Sequence, residues 1–305
     1  MLQSRLLLPS PPLRPFIHHY WVMRADAFPH EMSVMPRGCA KWIFHRLEPF
    51  TVNGVEEREH IATVCGQYHT AARISASHPI SLIFVVFQPY AMKMVMGGMP
   101  CRLFYASNVD MESLGMAEFK DLKCRVRDAA DDGEVIALIE DFVARQLARC
   151  ADSVYLPRLQ HVSRAIEAHP THSPAELADM ACLSERQFRR VFEDHVGMSP
   201  KRMLKVTRFL CAARSIQELE DHDFTDIVYG MGYTDHSHFN KDFREFAGMS
   251  PTEYLQHVRR LEEDRVLERL QNVSSLILFL QICILCPHRG QRMSVFYKSH
   301  DDGGW

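Results

Sequence analysis

The chain has 305 residues, of which 47% are hydrophobic and 24% are charged, and its formal net charge is −3. This length corresponds to about two domains, and the balance of apolar and charged residues is that of an ordinary globular protein. The slightly negative net charge excludes a uniformly basic nucleic-acid-binding surface, so any basic surface must be local.

The nine cysteines are dispersed without a paired spacing, which is typical of a reducing compartment rather than of a disulfide scaffold. The apolar stretch near the N-terminus, Leu6 to Leu8, is too short for the core of a signal peptide. The longest apolar run, residues 273–286, is shorter than the roughly 20 residues that a membrane-spanning helix needs. The sequence therefore predicts a cytoplasmic protein with no membrane partner.

The first half of the chain has the pattern of β-strands. Residues 81–88 form a β-branched and aromatic run closed by a proline, and residues 42–45 form a second run after a turn-like Pro-Arg-Gly. Apolar residues then recur at helical spacing over residues 135–147. We therefore expect an α+β protein whose residues 1–151 form a β-rich N-terminal domain with a helical end, a cupin-like fold being one option.

From residue 156 onward the pattern changes to amphipathic helices with strong start signals. Ser173-Pro-Ala-Glu176 offers Ser as the N-cap, Pro at the first helical position and Glu as the capping-box partner, and Ser250-Pro-Thr-Glu253 repeats that chemistry. We place an all-α domain at residues 152–262 and a C-terminal tail of unassigned role at residues 263–305.

An internal repeat lies within this helical half. Phe188-x₃-Phe192-x₄-Gly-Met-Ser-Pro returns 51 residues later as Phe239-x₃-Phe243-x₄-Gly-Met-Ser-Pro. A short helix and a tight turn precede each copy, so each unit has the plan of a helix-turn-helix. The phenylalanines must pack inward, which leaves the polar residues of the same helix outside.

The segment between the two units predicts one helix from Ser199 to about Leu219, which would span roughly 30 Å. Successive major-groove faces on one side of B-DNA are about 34 Å apart, so such a rod would hold two recognition helices in adjacent groove segments. Between Arg186 and Arg214, eight cations stand against two acidic residues, which gives a local charge of +6. A surface that follows phosphates requires such a local excess of cations.

The second unit, Ile227 to Phe243 followed by Phe246-Ala-Gly-Met-Ser-Pro, resembles the signature of the AraC/XylS-type transcription regulators, and the resemblance extends over about residues 156–260. It implies a double helix-turn-helix domain that binds operator DNA. One departure is Val228, where the family usually has Ala.

The resemblance also implies which side chains read the DNA. Base-edge contacts would come from Arg186, Gln187, Arg189, Arg190, His236, Ser237, Asn240 and Lys241. Phosphates would be contacted by Lys201, Arg202, Lys205 and Arg244.

The first half resembles, more faintly, an N-terminal domain attached to some of these regulators, through Tyr20-Trp21, a Pro-x-Gly-Cys turn at Pro36 to Cys39, and a strand that ends in Phe-x-Pro. By this resemblance the domain would sense a small-molecule effector or mediate homodimerisation. RNA polymerase would be a further partner if the protein is an activator.

No catalytic motif, cofactor or metal site is predicted. The sequence lacks a phosphate-binding glycine loop, a G-x-S-x-G and an HExxH. The Cys283-x-x-Cys286 pair lacks a second pair of ligands, and the spacings of the histidines in the first domain do not match a metal motif. These histidines are His18, His19, His30, His45, His60, His69 and His78.

Two alternatives remain open for the first half. It could carry an enzyme site with Cys39 as a reactive nucleophile, the helical half then serving to target DNA. It could also dimerise without sensing any ligand.

His236 and His238, at the start of the second recognition helix, are not expected to chelate one metal ion together. Residues two apart on a helix point about 200° away from each other. We therefore predict that His236 faces the bases and that His238 turns towards the core edge or the DNA backbone.

Overall fold

The computed structural model describes residues 2–26, 32–56, 61–68, 70–150, 154–219 and 223–260. The strands are β1 Leu2–Leu7, β2 Ile17–Ala25, β3 Met32–Val34, β4 Lys41–His45, β5 Thr51–Val52, β6 Val55–Glu56, β7 Ala62–Cys65, β8 Ala72–Ser75, β9 Ile80–Phe87 and β10 Asn108–Asp110. The α-helices are α1 Met92–Val95, α2 Ala117–Asp128, α3 Asp132–Arg149, α4 Leu156–Ala168, α5 Pro174–Met180, α6 Glu185–Val196, α7 Pro200–Gln217, α8 Thr225–Gly230 and α9 His236–Ala247. Residues 251–260 are also helical, and short 3-10 turns occupy Pro11–Leu13, Cys101–Phe104 and Glu112–Leu114.

The first half is built on two antiparallel sheets, which confirms the predicted β-rich domain. One sheet has the strand order β1-β2-β9-β4-β7-β10 and the other has the order β3-β8-β5-β6. The two apolar runs of the sequence are β9 and β4, which pair with each other in the middle of the larger sheet. The predicted helical end of this domain is α2 and α3.

Strand β9 is buried along its whole length because both faces of its sheet are covered. Its alternate side chains belong to two different apolar clusters, as the two-residue period of a strand requires. Leu82 and Phe84 pack towards the smaller sheet, where the ring of Phe84 stacks on Trp21 at 4.8 Å between centroids. On the opposite face Trp42 of β4 meets the rings of Phe119 and Phe142, which belong to α2 and α3.

The start signals of the helical half are confirmed. Ser173 and Glu176 form the reciprocal capping box of α5, and the side chain of Ser199 accepts from the backbone of Arg202 at the start of α7. Gly197 and Gly248 end α6 and α9 in the left-handed conformation, with φ of +90° and +75°. The connector is a single helix, α7, of 18 residues.

The two helix-turn-helix units differ by one residue in the turn. The backbone N–H of Leu183 donates to Ala178 O at 3.1 Å, and that of Tyr233 donates to Val228 O at 3.0 Å, so the first helices correspond at an offset of 50 residues. The second helices correspond at the offset of 51 residues that the sequence repeat shows. The second turn is therefore one residue longer.

Val228, the position where the sequence departs from the usual Ala, is fully buried in the first helix of the second unit.

The two halves share one continuous apolar core rather than two separate ones. A single cluster of buried residues extends from the larger sheet through α2 and α3 into the helical half. At the junction Gly38 lies against Met203 of α7, and Cys101 lies against Gly197 at the end of α6. The predicted domain boundary, between residues 151 and 152, lies outside the described residues. The predicted tail, residues 263–305 with Cys283 and Cys286, also lies outside them. Both expectations stay predictions.

Candidate nucleic-acid interface

The amphipathic helix α6 presents a basic outer face. Its apolar residues Phe188 and Phe192 are buried, with ring centroids 5.4 Å apart. The predicted base-contacting arginines on the opposite side are all exposed, and Gln187 is half-buried. These arginines are Arg186, Arg189 and Arg190. Because the phenylalanines anchor the helix, the arginines have a fixed direction towards solvent.

Helix α9 repeats this arrangement. Phe243 and Phe246 are buried against Phe209 of α7, with ring centroids 5.0 Å and 5.2 Å from it. The four residues predicted to read bases are all exposed on the outer side: His236, Ser237, Asn240 and Lys241. The structure thus brings each predicted set of four together on one helix, and their contact with bases stays a prediction.

The two neighbouring histidines of α9 have different environments, as expected. His236 is exposed, whereas His238 is half-buried with its ring edge-on to Tyr233 at 5.2 Å between centroids. The Nε2 atom of His238 lies 3.9 Å from a carboxylate oxygen of Asp242, and its Nδ1 atom lies 3.4 Å from the hydroxyl of Thr234. His238 therefore contributes to packing at the start of the helix.

The four predicted phosphate contacts divide into two pairs. Lys201 and Arg244 are exposed. Arg202 instead forms an ion pair with Glu245 at 2.5 Å, and Lys205 forms one with Asp242 at 2.8 Å. These pairs fasten α9 to α7, and the sequence could not reveal them because their carboxylates lie on another helix. Phosphate contact by Arg202 and Lys205 stays a prediction.

The ion pairs between α7 and α9 also affect the titration of Glu245. Burial by itself would raise the pKa of this carboxyl group, but the hydrogen bond and charge of Arg202, together with Lys205, hold the pKa below its ordinary value. Glu245 is therefore ionised at neutral pH and keeps both cations in place.

A concave surface with a volume of about 690 Å³ lies beside the first recognition helix. The start of α5, the outer face of α6 and the start of α7 form most of it. Its charged lining residues are Arg102, Glu185, Arg186, Arg189, Arg190, Glu193, Asp194 and Lys201. Arg102 comes from the N-terminal half, and no motif in the sequence points to it.

A second cavity, of about 80 Å³, lies between the two sheets of the N-terminal half. Its walls are mainly apolar and include Trp21, Ile43 and Phe84. Arg37 and Lys41 are its charged lining residues, and no carboxylate belongs to the described lining. The segment 35–41, which supplies part of this wall, includes Gly38, whose other side faces α7.

The other candidate groups of the first half do not converge on one centre. His18 and His19 contact each other through their Nδ1 atoms at 2.7 Å, whereas His45 packs against Phe50 and His78 contacts the carbonyl of Pro49. His30, His60 and His69 lie outside the described residues. Cys39 lines the cavity between the sheets and is half-exposed.

In the part of the chain that the structure describes, no three His, Cys, Asp or Glu side chains are grouped so that they could hold a metal ion. Within the same part, no helix has the length and apolar character needed to cross a membrane.

Comparison with known families matches both halves. A helix-turn-helix domain family matches residues 177–257, and a domain of unknown function, DUF6597, matches residues 5–110. Over 101 residues the chain is 34% identical to the HTH-type transcriptional activator RhaS of Escherichia fergusonii, covering 32% of this chain and 36% of that protein. The helical half is a double helix-turn-helix domain of the AraC/XylS type.

A second curated relative matches over a similarly short length. An uncharacterized HTH-type transcriptional regulator of Haemophilus influenzae is 34% identical over 83 residues, which is 27% of this chain and 28% of the relative. The chain thus spans about a third of the length of the curated relatives that it matches. The crystal structure of ToxT from Vibrio cholerae O395 aligns with 83% of this chain and 96% of the ToxT chain. The sequence identity is 10% and the TM-score is 0.41.

Proposed function

We propose that the protein is a sequence-specific DNA-binding transcription regulator. The observation that carries the proposal is the pair of matched outer faces, on α6 and α9, each held by buried phenylalanines and each presenting four polar or basic side chains. Such side chains suit base edges: an arginine pairs with guanine O6 and N7, and Asn240 can pair with adenine N6 and N7. Exposed Lys201 and Arg244 would contact phosphates.

The helix α7 sets the distance between the two recognition helices. At about 1.5 Å per residue its 18 residues extend over about 27 Å, close to one turn of B-DNA. The ion pairs from α7 to Asp242 and Glu245 keep α9 at a constant orientation on this rod. Both recognition helices would therefore enter adjacent major-groove segments on one face of the DNA.

The N-terminal half would modulate DNA binding. The cavity between its sheets suits a small apolar effector, and a negative group on that effector would be favoured because Arg37 and Lys41 are the charged lining residues. Segment 35–41 lies between this cavity and Met203 of α7, so an occupant that moves the segment would disturb the rod. A homodimer is a further proposed assembly, with RNA polymerase as a partner if the protein activates transcription.

No enzymatic activity is proposed, since the relatives of the helical half are named as transcription regulators. The alternative that Cys39 is a nucleophile is tested by the kinetics of its alkylation. A rate like that of an ordinary thiol would count against it. A cytoplasmic location is part of the proposal.

The proposed function is tested by mapping the bound DNA and then changing one predicted base contact. Genome-wide footprinting would give the operator, and Arg190→Ala should weaken operator binding by about 1–3 kcal/mol while relaxing the base preference at one position. Arg125→Ala is the matched control, because Arg125 is an exposed arginine on α2 that pairs with Asp121 at 3.6 Å. If Arg190→Ala bound operator and scrambled DNA as the parent does, the assignment of α6 would be wrong.

A further inference from the structure

Arg102 belongs to the N-terminal half but lies at the edge of the proposed DNA-binding surface. It is the second residue of the 3-10 turn Cys101–Phe104 and lines the concave surface together with residues of α5, α6 and α7. Its side chain is 54% exposed, so a ligand on this surface could reach it.

The turn that carries Arg102 is held firmly against the first recognition helix. Cys101 and Phe104 are each 3% exposed and belong to the shared apolar core. The carbonyl oxygen of Cys101 approaches Gly197 so closely that an added Cβ there would lie only 3.1 Å away. The backbone of Arg102 is therefore held beside the end of α6 by its buried neighbours.

The surroundings of Arg102 favour an anion. Five basic side chains line the concave surface, namely Arg102, Arg186, Arg189, Arg190 and Lys201. Three carboxylates oppose them, and two of these are already engaged: Glu193 by Arg189 at 2.9 Å, and Asp194 by Arg102. The N-terminal end of α7 opens on the same surface and adds the partial positive charge of an 18-residue helix.

Asp194 orients Arg102 without using up its donors. The carboxylate oxygen Oδ1 of Asp194 accepts from the Nη1 atom of Arg102. A guanidinium group has five N–H donors, so the others stay able to donate to a second oxyanion. A carboxylate on one side and a phosphate on the other would fit the planar fork of this side chain.

We propose that Arg102 contacts a phosphate of the operator beside the first recognition helix, so that the N-terminal domain forms part of the DNA-binding surface. This inference rests on the proposed function, because it places the same DNA against α6. The contact is with the backbone and carries no base preference. It gives the N-terminal domain a direct effect on affinity: any movement of the turn relative to α6 removes one cation from the DNA.

The test measures the affinity of full-length protein for operator and for scrambled DNA at several salt concentrations. Arg102→Ala should weaken binding to both DNAs by a similar factor of about 3–10 and should reduce the slope of log K against log[salt] by about 1. Arg102→Lys should keep most of the slope because it keeps the charge. Arg125→Ala, remote on α2, should change neither quantity.

A second variant separates phosphate contact from a purely structural ion pair. Asp194→Asn breaks the ion pair and leaves the cation, so any loss of affinity should be smaller than for Arg102→Ala and the slope should not fall. If Asp194→Asn weakened binding as much as Arg102→Ala did, or if Arg102→Ala left the slope unchanged, the proposal would be overturned. Failure of the proposed function itself would look different, since Arg190→Ala would then show no loss of preference for the operator over scrambled DNA.

Discussion

The carboxylate of Asp242 is 1% exposed and relies on Lys205 of α7 for its partner, at 2.8 Å. A buried carboxylate that has lost its hydration depends on its cation, and removing the cation costs more than the ion pair itself contributes. At the scale of single residues, this pair helps the buried phenylalanines to fix the rotation of α9 about its own axis. The outward direction of Asn240 and Lys241 depends on that rotation.

Replacing the cation should therefore lower stability strongly. Lys205→Met removes the cation that α7 supplies to Asp242 and leaves only His238, at 3.9 Å, beside this carboxylate. It should reduce the free energy of unfolding in urea by about 3 kcal/mol. The control is Lys241→Met, which removes an exposed cation of α9. It should change the free energy of unfolding by no more than about 0.5 kcal/mol. The double variant Lys205→Met/Asp242→Leu should recover most of the loss. Equal stability of the two single variants would contradict this account of the pair.

At the scale of elements, the two recognition helices end in the same way but against different neighbours. Gly197 and Gly248 both have a positive φ at the end of their helices. An added Cβ at Gly248 would meet no atom within 4 Å, whereas at Gly197 it would press on the backbone of Cys101 at 3.1 Å. Substitutions at Gly197 and Gly248 therefore differ mainly in whether the new side chain meets the N-terminal half.

Alanine at these two positions should separate backbone strain from crowding. Gly248→Ala should lower the free energy of unfolding by about 1 kcal/mol because alanine disfavours the left-handed conformation. Gly197→Ala carries the same strain and also pushes the turn that holds Cys101, so its loss should be larger by about 1–3 kcal/mol. Thermal or urea unfolding of both variants measures the difference. Equal losses would show that α6 and this turn are not in firm contact.

The sequence predicts elements well where local chemistry decides them. Ser173 with Glu176, and Ser250 with Glu253, mark helix starts by hydrogen bonds within four residues, and these bonds are present. The extra residue in the second turn is not visible in the phenylalanine repeat, because that repeat begins at Phe188 and Phe239, after each turn. The role of Arg102 could not be predicted, because it depends on how a turn of one half docks on a helix of the other.

At the scale of the whole molecule, segment 35–41 touches both the cavity and the rod. An added Cβ at Gly38 would lie 2.9 Å from the Sδ and Cε atoms of Met203, and Met203 is 5% exposed. A change on the cavity side of this segment therefore meets a packed side chain of α7, which has little free space to move into.

A larger residue at Gly38, where the N-terminal half contacts Met203, should alter DNA binding although this position is not a predicted DNA contact. Gly38→Ala should weaken operator binding by about 0.5–2 kcal/mol because it crowds the Sδ and Cε atoms of Met203 at the start of the rod. Gly54→Ala is the matched control: Gly54 has φ of +79° in the same domain, and an added Cβ there would meet nothing within 4 Å. Fluorescence anisotropy with labelled operator measures both. The coupling is refuted if the two variants bind equally, and Gly38→Ala/Met203→Ala should bind more tightly than Gly38→Ala.

The apolar core that runs across both halves has a consequence for the descent of such proteins. A regulator whose halves met only through a linker could acquire a new sensor by simple fusion of genes. Here a newly acquired first half would have to supply a turn shaped to the end of α6, where the backbone of Cys101 meets Gly197. Recombination is therefore expected to succeed mainly between parent genes whose proteins already have this contact between the halves. Both halves should then be inherited together.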